Sequence, residues 1–197
     1  MLDRFYPIVD KTDWLTDLLP SGYRFVQLRI KNQPEDYVRP EIGRAVSFCA
    51  AHGITLVVND YWRLAIDFRS PWVHLGQEDL VEADLPALCR AGIKIGISTH
   101  SEEELETALA AQPDYVALGP IYPTKLKQMP WAPQGIGRIA AWKRRIGALP
   151  LVAIGGMTLE RAEAAYAAGA DAVAVVSDVL QAPNPEERAR DWVRATR

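Results

Sequence analysis

Eight short apolar runs alternate with longer amphipathic stretches along this chain of 197 residues. Such alternation predicts strands that are each followed by a helix, so the fold class is α/β with a mostly parallel sheet. The runs at residues 151–154 and 172–176 are continuously apolar, as expected for strands that are buried on both faces. The predicted strands span residues 5–9, 24–30, 54–58, 72–75, 93–97, 115–118, 151–154 and 172–176.

Eight strand and helix units favour a closed (β/α)8 TIM barrel, although a doubly wound open sheet has the same alternation. Helical patterns cover residues 35–52, 101–111, 158–168 and 185–195. Ser101 and Thr158 are the expected N-caps of the middle two. With no linker or low-complexity tract, residues 1–197 are predicted to form a single domain.

Composition excludes several classes of partner. The formal net charge is −3, from 22 basic and 25 acidic side chains, so no general positive field favours nucleic acid or an anionic membrane. No apolar run approaches the roughly 20 residues that span a bilayer. Cys49 and Cys89 form no CxxC motif, and we expect both as buried side chains of a soluble cytoplasmic protein. Six tryptophans permit a homo-oligomer without locating its interface.

Short polar clusters directly follow the apolar runs, and they indicate where the chemistry takes place. In a (β/α)8 barrel the carboxyl ends of all strands meet at one face, where active sites are built. These clusters combine carboxylates, cations and a glycine pair, which suits phosphorylated ligands and a hard metal ion. They are Gln27-Leu28-Arg29-Ile30-Lys31, Asn59-Asp60, Gly76-Gln77-Glu78-Asp79, Ser98-Thr99-His100, residues 123–127 and Gly155-Gly156.

The longest stretch without a predicted element runs from residue 119 to about residue 137 and contains four prolines. Loops of this length are usually functional or disordered. Apolar side chains such as Ile121 and Trp131 favour a functional lid that closes over a ligand. Lys125 and Lys127 would then bring positive charge to a bound phosphate.

Seven segments, which include or overlap these six clusters and add residues 175–177, together resemble the thiamine phosphate synthase family, in order and at the spacing of barrel strands. The resemblance extends over nearly the whole chain and implies an enzyme that joins an aminopyrimidine methyl pyrophosphate to a thiazole phosphate. Thiamine monophosphate and pyrophosphate would be released, with Mg²⁺ as cofactor. The segments are QLRIK (27–31), ND (59–60), HLGQED (74–79), GISTH (96–100), GPIYPT (119–124) followed by Lys127, IGG (154–156) and VVS (175–177).

The resemblance implies a role for each cluster. Asp60 and Asp79 would hold Mg²⁺, and Arg29, Lys31 and Lys127 would neutralise the charge that develops on departing pyrophosphate. Ser98 would contact the aminopyrimidine ring. The full set of predicted substrate-binding residues is Gln27, Leu28, Arg29, Ile30, Lys31, Asn59, Ser98, Thr124, Lys125, Leu126, Lys127, Gly156, Val176 and Ser177.

One position departs from the family pattern, which often reads Thr-x-Thr-Lys where this chain has Thr124-Lys125-Leu126-Lys127. Leucine has no hydroxyl group, so Leu126 can offer a phosphate only a backbone or packing contact. Other interpretations remain open. Asp60 and Asp79 are also typical helix caps, and Gly155 is typical of a tight turn. A thiazole tautomerase and a non-catalytic paralogue that binds thiamine phosphate or its precursors are the alternative functions.

Overall fold

The computed structural model describes residues 2–124 and 131–197. Its eight strands are all parallel and pair in chain order, and the first strand also pairs with the last, which closes a barrel. The predicted (β/α)8 fold is therefore confirmed, and the open-sheet alternative is wrong. The strands are β1 Phe5–Val9, β2 Phe25–Leu28, β3 Thr55–Asn59, β4 Trp72–Leu75, β5 Lys94–Thr99, β6 Tyr115–Leu118, β7 Leu151–Ile154 and β8 Ala172–Val175.

Helices surround the barrel, as the amphipathic stretches predict. Within the described ranges they are α1 Asp13–Asp17, α2 Glu35–Ala51, α3 Trp62–Asp67, α4 Gln77–Glu82, α5 Leu85–Arg90, α6 Glu102–Ala110, α7 Ile136–Ile146, α8 Leu159–Ala167, α9 Ser177–Leu180 and α10 Pro185–Thr196. A short 3₁₀ turn, Leu19–Ser21, leads into β2.

The predicted helix starts are close to the observed ones. Ser101 caps α6, and its hydroxyl accepts a hydrogen bond from the backbone N–H of Glu104 at 3.3 Å. Thr158 occupies the cap position of α8, but its side chain makes no capping hydrogen bond. Helix position is thus set by the pattern, whereas the capping bond depends on side-chain geometry.

Side chains alternate between two apolar shells along seven of these eight strands, β5 being the exception. Outward-facing residues such as Val26 and Val58 join the large core between barrel and helices. Inward-facing side chains fill the barrel itself, so its interior is a packed core that closes the bottom of the site above it. The inner cluster comprises Tyr6, Ile8, Phe25, Val57, Trp72, Tyr115, Ala117, Val152, Ala172 and Ala174.

Gly96 on β5 makes room for one of these inner side chains. A Cβ atom at this position would lie 2.0 Å from Cζ of Tyr115 and 2.4 Å from its hydroxyl oxygen. The Tyr115 ring therefore occupies the space that any larger residue at position 96 would need.

The two cysteines lie in different environments. Cys49 is buried in α2, as expected, but Cys89 is exposed on α5, so the prediction of two buried cysteines is wrong for Cys89. Neither residue is in a disulfide. Among the described residues, none of the helices is both long enough and apolar enough to cross a membrane.

Candidate active site

A basin of about 1290 Å³ opens at the carboxyl ends of the barrel strands. Polar side chains from most strand ends converge on it, as the strand-end clusters predict. Eleven of the predicted site residues line it: Gln27, Arg29, Lys31, Asn59, Asp60, Asp79, Ser98, Thr124, Gly156, Val176 and Ser177. The structure thus brings together residues that are up to 150 positions apart in the chain, from Gln27 to Ser177.

The remaining predicted residues fall into two groups. Leu28 and Ile30 are buried in the outer core between barrel and helices, so their side chains point away from the basin and only their backbone could face a ligand. Lys125, Leu126 and Lys127 lie outside the described residues. Whether the loop acts as a lid stays a prediction.

The end of β2 directs alternate side chains into the basin. Gln27, Arg29 and Lys31 line it, while Leu28 between them joins the outer core. The backbone N–H of Arg29 donates to the carbonyl oxygen of Val9 at 2.8 Å, which continues the strand pairing beyond the end of β2. The prediction that Gln27 and Arg29 share one face is therefore confirmed.

Two carboxylates meet at the ends of β3 and β4. Asp60 forms an ion pair with Lys31, and its own carboxylate also interacts with that of Asp79. Burial raises the pKa of Asp79, and the charge of Asp60 and a hydrogen bond with it raise that pKa further. Like charges in a partly buried position are the arrangement that a bound cation relieves.

Asp79 also has a structural role. Its Oδ2 accepts a hydrogen bond from the backbone N–H of Gly76 at 3.1 Å, at the start of α4. The capping interpretation of Asp79 is thus confirmed, and it does not exclude metal binding because a carboxylate has several lone pairs. Asp60 instead has a left-handed backbone, with φ of 64°, and its N–H donates to the carbonyl oxygen of His74.

Asn59 ends β3 with a side chain that is only 4% exposed. Its amide nitrogen Nδ2 is buried and has no hydrogen-bond partner among the residues that the structure describes. A buried donor without an acceptor costs free energy, so this nitrogen is suited to a ligand oxygen in the basin.

The ends of β7 and β8 form the opposite side of the basin. Gly155 and Gly156 have φ of 92° and 63°. A Cβ atom on Gly155 would lie 2.6 Å from Cα of Pro120, and one on Gly156 would lie 2.5 Å from the carbonyl oxygen of Pro123. The tight-turn interpretation of Gly155 is therefore confirmed, and Gly156 meets the same steric requirement.

Val176 follows β8 as the cap residue of α9, Ser177 is the first residue of that helix, and both line the basin. Arg161 of α8 also lines this side, where its guanidinium donates to the carbonyl oxygen of Gly156. The same guanidinium lies over the ring of Tyr122, with its Cζ atom 4.4 Å from the ring centroid. Arg161 is a basin residue that the strand-end pattern could not reveal, because it lies inside a helix.

The deep wall of the basin is a connected set of polar side chains. His74 accepts or donates through both ring nitrogens: Nδ1 is 2.8 Å from the hydroxyl of Tyr115, and Nε2 is 2.7 Å from Oγ of Ser98. Burial lowers the pKa of His74 to about 4, helped by the positive charge of Arg29, so the ring is neutral at neutral pH. Tyr6 and Tyr115 were not predicted as site residues, because inward-facing tyrosines are usual in an apolar core.

His100 lies at the rim. Its Nδ1 is 2.7 Å from Oε2 of Glu104, and its ring stacks on Trp131 with centroids 6.0 Å apart. The Gln134 side chain donates to the His100 carbonyl oxygen at 3.0 Å, and its backbone N–H donates to that of Pro120. These contacts anchor the end of the loop at residues 131–135 beside the basin.

Comparison with known proteins agrees with this geometry. A family model described as thiamine monophosphate synthase matches residues 5–179. A thiamine-phosphate synthase of Rhizobium etli is 59% identical over 195 residues, which cover 99% of this chain and 96% of the relative. The thiamine-phosphate synthase of Salmonella typhimurium is 47% identical over 191 residues, covering 97% and 87%.

Solved structures agree on the fold. Thiamine phosphate pyrophosphorylase from Pyrococcus furiosus superimposes with a TM-score of 0.86 at 24% identity, over 98% of this chain and 95% of the other. A 3-hexulose-6-phosphate synthase superimposes with a TM-score of 0.70 at 13% identity, over 98% and 100%. At these identities the superpositions establish the shared barrel only.

Proposed function

Because this chain belongs to the thiamine monophosphate synthase family, we propose that its basin binds a pyrimidine pyrophosphate beside a thiazole phosphate, with Mg²⁺ at Asp60 and Asp79. The protein is a transferase of thiamine biosynthesis. It condenses 4-amino-2-methyl-5-(diphosphooxymethyl)pyrimidine with the thiazole phosphate to give thiamine monophosphate and pyrophosphate.

The contact between the carboxylates of Asp60 and Asp79 is the observation that supports the proposed metal site. Two carboxylates supplemented by substrate oxygens and water suit Mg²⁺, which retains part of its hydration shell. No group of three or more His, Cys, Asp or Glu with metal-site geometry occurs in the described ranges, and such a site does not require one. The raised pKa of Asp79 indicates a position that favours added positive charge, and Lys31 already supplies one such charge to the neighbouring Asp60. When bound, Mg²⁺ would neutralise negative charge on the pyrophosphate.

The neighbouring side chains suit the same pyrophosphate. Arg29 and Lys31 carry positive charge to the basin wall, and Nδ2 of Asn59, which has no partner in the described part of the chain, supplies a buried donor. Fixed donors and cations are most effective where charge develops during the reaction. Lys127, from the loop, is proposed to contribute a third cation on the strength of the family pattern.

We propose that the carbon–oxygen bond to pyrophosphate breaks before the new bond forms. The amino substituent of the pyrimidine then stabilises the resulting cation, and the thiazole nitrogen attacks it with its lone pair. No side chain has to remove a proton from the nucleophile, and His100 is already engaged with Glu104. The tasks left to the chain are orientation, charge neutralisation and exclusion of water.

The thiazole phosphate is proposed to occupy the side formed by Thr124, Gly156, Val176 and Ser177, all of which line the basin. Gly156 allows the backbone to approach a ligand closely at this turn. A contribution from Lys125 and the backbone of Leu126 is part of the same proposal.

A reducing cytoplasm is the location that we propose. The exposed thiol of Cys89 is free, and such thiols persist in reducing compartments. A homo-oligomer stays a prediction, for which the exposed apolar side chains of Tyr37, Val81 and Trp131 are candidate contacts.

The proposal is tested by mixing metal-depleted protein with both substrates, with and without Mg²⁺, and following thiamine monophosphate and pyrophosphate together. Magnesium-dependent formation of both in equal amounts is expected. If both products formed in equal amounts without any divalent cation, the proposed role of Mg²⁺ would be wrong and the condensation would still stand. Binding without condensation would instead favour the tautomerase or the non-catalytic paralogue, against which the identity to two synthases argues.

Asp79→Asn tests the metal ligand itself. We expect turnover to fall at least tenfold, since changes around metal sites typically cost roughly 10–100-fold, and the half-saturating Mg²⁺ concentration to rise. Glu82→Gln is the matched control, because this exposed carboxylate lies on the same helix α4 and does not line the basin. An Asp79→Asn enzyme with the wild-type Mg²⁺ dependence would exclude Asp79 as a ligand.

A further inference from the structure

A continuous chain of hydrogen bonds crosses the barrel interior along the deep wall of the basin. Nε2 of Gln27 donates to the hydroxyl of Tyr6 at 2.8 Å, and the Tyr6 and Tyr115 hydroxyl oxygens are 2.9 Å apart. The Tyr115 hydroxyl lies 2.8 Å from Nδ1 of His74, whose Nε2 lies 2.7 Å from Oγ of Ser98. These five side chains come from strands β1, β2, β4, β5 and β6.

The middle of this chain is shielded from water. Tyr6 is 1% exposed and Tyr115 is not exposed at all, while Gln27 and His74 are 2% and 7% exposed. Each tyrosine hydroxyl has one proton to donate, and buried hydroxyls donate it to a protein partner when no water is present. The direction of one hydrogen bond therefore determines the direction of the next.

The amide donor of Gln27 sets the direction of every hydrogen bond in this series. Since Gln27 donates to the Tyr6 oxygen, the Tyr6 proton goes to the Tyr115 oxygen and the Tyr115 proton goes to Nδ1 of His74. The neutral imidazole then has its proton on Nε2, which donates to Ser98. Reversal would require Gln27, both hydroxyls and the His74 tautomer to change together.

Gln27 and Ser98 are the two ends of this hydrogen-bond series and line the basin, and their hydrogen-bonding roles follow from its direction. Ser98 already accepts a proton from His74, so its own hydroxyl proton is available to a ligand. The amide nitrogen of Gln27 donates one of its two protons to Tyr6, which fixes the orientation of the amide and leaves its carbonyl oxygen available as an acceptor. One end thus donates and the other accepts.

We infer that Tyr6, Tyr115 and His74 act as positioning residues, forming a relay that sets Gln27 as acceptor and Ser98 as donor and so selects a 4-aminopyrimidine over its 4-oxo counterpart. This inference rests on the proposed function, in which the wall with Gln27 and Ser98 holds the pyrimidine ring. The amino group is a donor and the adjacent ring nitrogen an acceptor. In the 4-oxo ring the substituent becomes an acceptor and that nitrogen carries a proton, so both contacts have the wrong polarity.

Tyr115→Phe tests the relay by removing one oxygen atom from its middle and keeping the ring. The probes are 4-amino-5-hydroxymethyl-2-methylpyrimidine and its 4-oxo analogue, which lack a leaving group, and their affinities are measured calorimetrically. The wild type is expected to prefer the amino compound, and the preference is expected to fall roughly tenfold in the variant. The KM for the thiazole phosphate should not change.

The His74 tautomer provides a second readout that a merely structural role would not move. In protein labelled with ¹⁵N-histidine, the wild-type ring is expected to carry its proton on Nε2, with assignment by loss of the signal in His74→Gln. Tyr115→Phe should mix the two tautomers. Tyr6→Phe interrupts the relay one bond earlier and serves if the first variant fails to fold.

Tyr23→Phe is the matched control, because this buried hydroxyl donates to the Leu15 carbonyl oxygen at 2.8 Å and lies outside the relay. It should leave both the preference and the tautomer unchanged. A wild-type proton on Nδ1, or an unaltered preference and tautomer in Tyr115→Phe, would overturn the relay. If the wild type bound neither pyrimidine, the proposed pyrimidine site would fail, and with it the selection that the relay is inferred to provide.

Discussion

The ring of His74 lies inside the barrel with a hydrogen-bond partner on each nitrogen. Its protonation makes the free energy of unfolding depend on pH. A histidine titrates near 6.5 when unfolded, whereas burial and, secondarily, the charge of Arg29 lower the pKa of His74 to about 4 in the fold. Between these values the unfolded chain binds a proton that the folded protein does not. The free energy of unfolding therefore decreases as the pH falls from 6.5 to 4.

We predict that His74 accounts for a loss of up to about 3 kcal/mol in unfolding free energy across this range. Urea unfolding of wild type and His74→Gln at pH 7 and pH 4 measures it. The variant should be less stable at pH 7 but lose less on acidification, because glutamine does not titrate. His52→Gln, at an exposed position, is the control and should retain the wild-type pH dependence.

At the scale of elements, Asp178 joins three helices on the side of the barrel near β1 and β8. It belongs to α9 and accepts hydrogen bonds from Arg188 and Trp192 of α10, at 2.9 and 2.7 Å respectively. The backbone N–H of Leu159, the first residue of α8, donates to the same carboxylate at 3.3 Å. Trp192 also stacks on Phe5 of β1, so this cluster holds the last helix against the barrel.

Asp178→Asn should destabilise the protein by about 2–4 kcal/mol, because it leaves the partly buried guanidinium of Arg188 with the exposed carboxylate of Glu160 as its ion-pair partner and places an amide donor among donors. Chemical denaturation measures this change. The control is Glu160→Gln, which removes the other carboxylate paired with Arg188 but at a side chain that is 69% exposed. That loss should stay below about 1 kcal/mol. Equal losses in the two variants would contradict a special role for Asp178.

At the scale of the whole molecule, closure of the barrel connects the first strand to the last. Phe5 pairs with Val173 and Tyr6 with Ala174, so the ends of the chain depend on each other. The inner cluster draws residues from seven strands and cannot form in part. Stability is therefore expected to be a property of the entire chain.

We predict that residues 1–197 unfold as one domain in a single cooperative transition. Scanning calorimetry under reversible conditions should give a calorimetric enthalpy equal to the van't Hoff enthalpy. Two resolved transitions, or an enthalpy ratio well above one, would show that part of the barrel folds separately.

Several features were predictable because they depend on neighbours along the chain. The strands at residues 72–75, 115–118 and 151–154 were predicted with the observed bounds, since short apolar runs between turn residues are a local signal. The shared face of Gln27 and Arg29 follows from the two-residue period of a strand. The capping role of Ser101 follows from its position before an amphipathic run.

Other features depend on side-chain surroundings that a local pattern does not contain. Cys89 is exposed although its residue type favours burial, because it lies on the solvent side of the short helix α5. Leu28 and Ile30 belong to a strand-end cluster, yet their side chains enter the outer core. Arg161 reaches the basin from within α8, where no strand-end signal marks it.

The sequence by itself determined the eight-unit alternation, the polar chemistry of the strand ends and the resemblance to a family, because periodicity and motif order are local properties. Only the tertiary structure decided which of those groups meet. The ion pair between Lys31 and Asp60, the contact of Asp60 with Asp79 and the path from Tyr6 through Tyr115 to His74 all join distant positions. They form because closing the barrel brings separate strands within hydrogen-bond distance of one another.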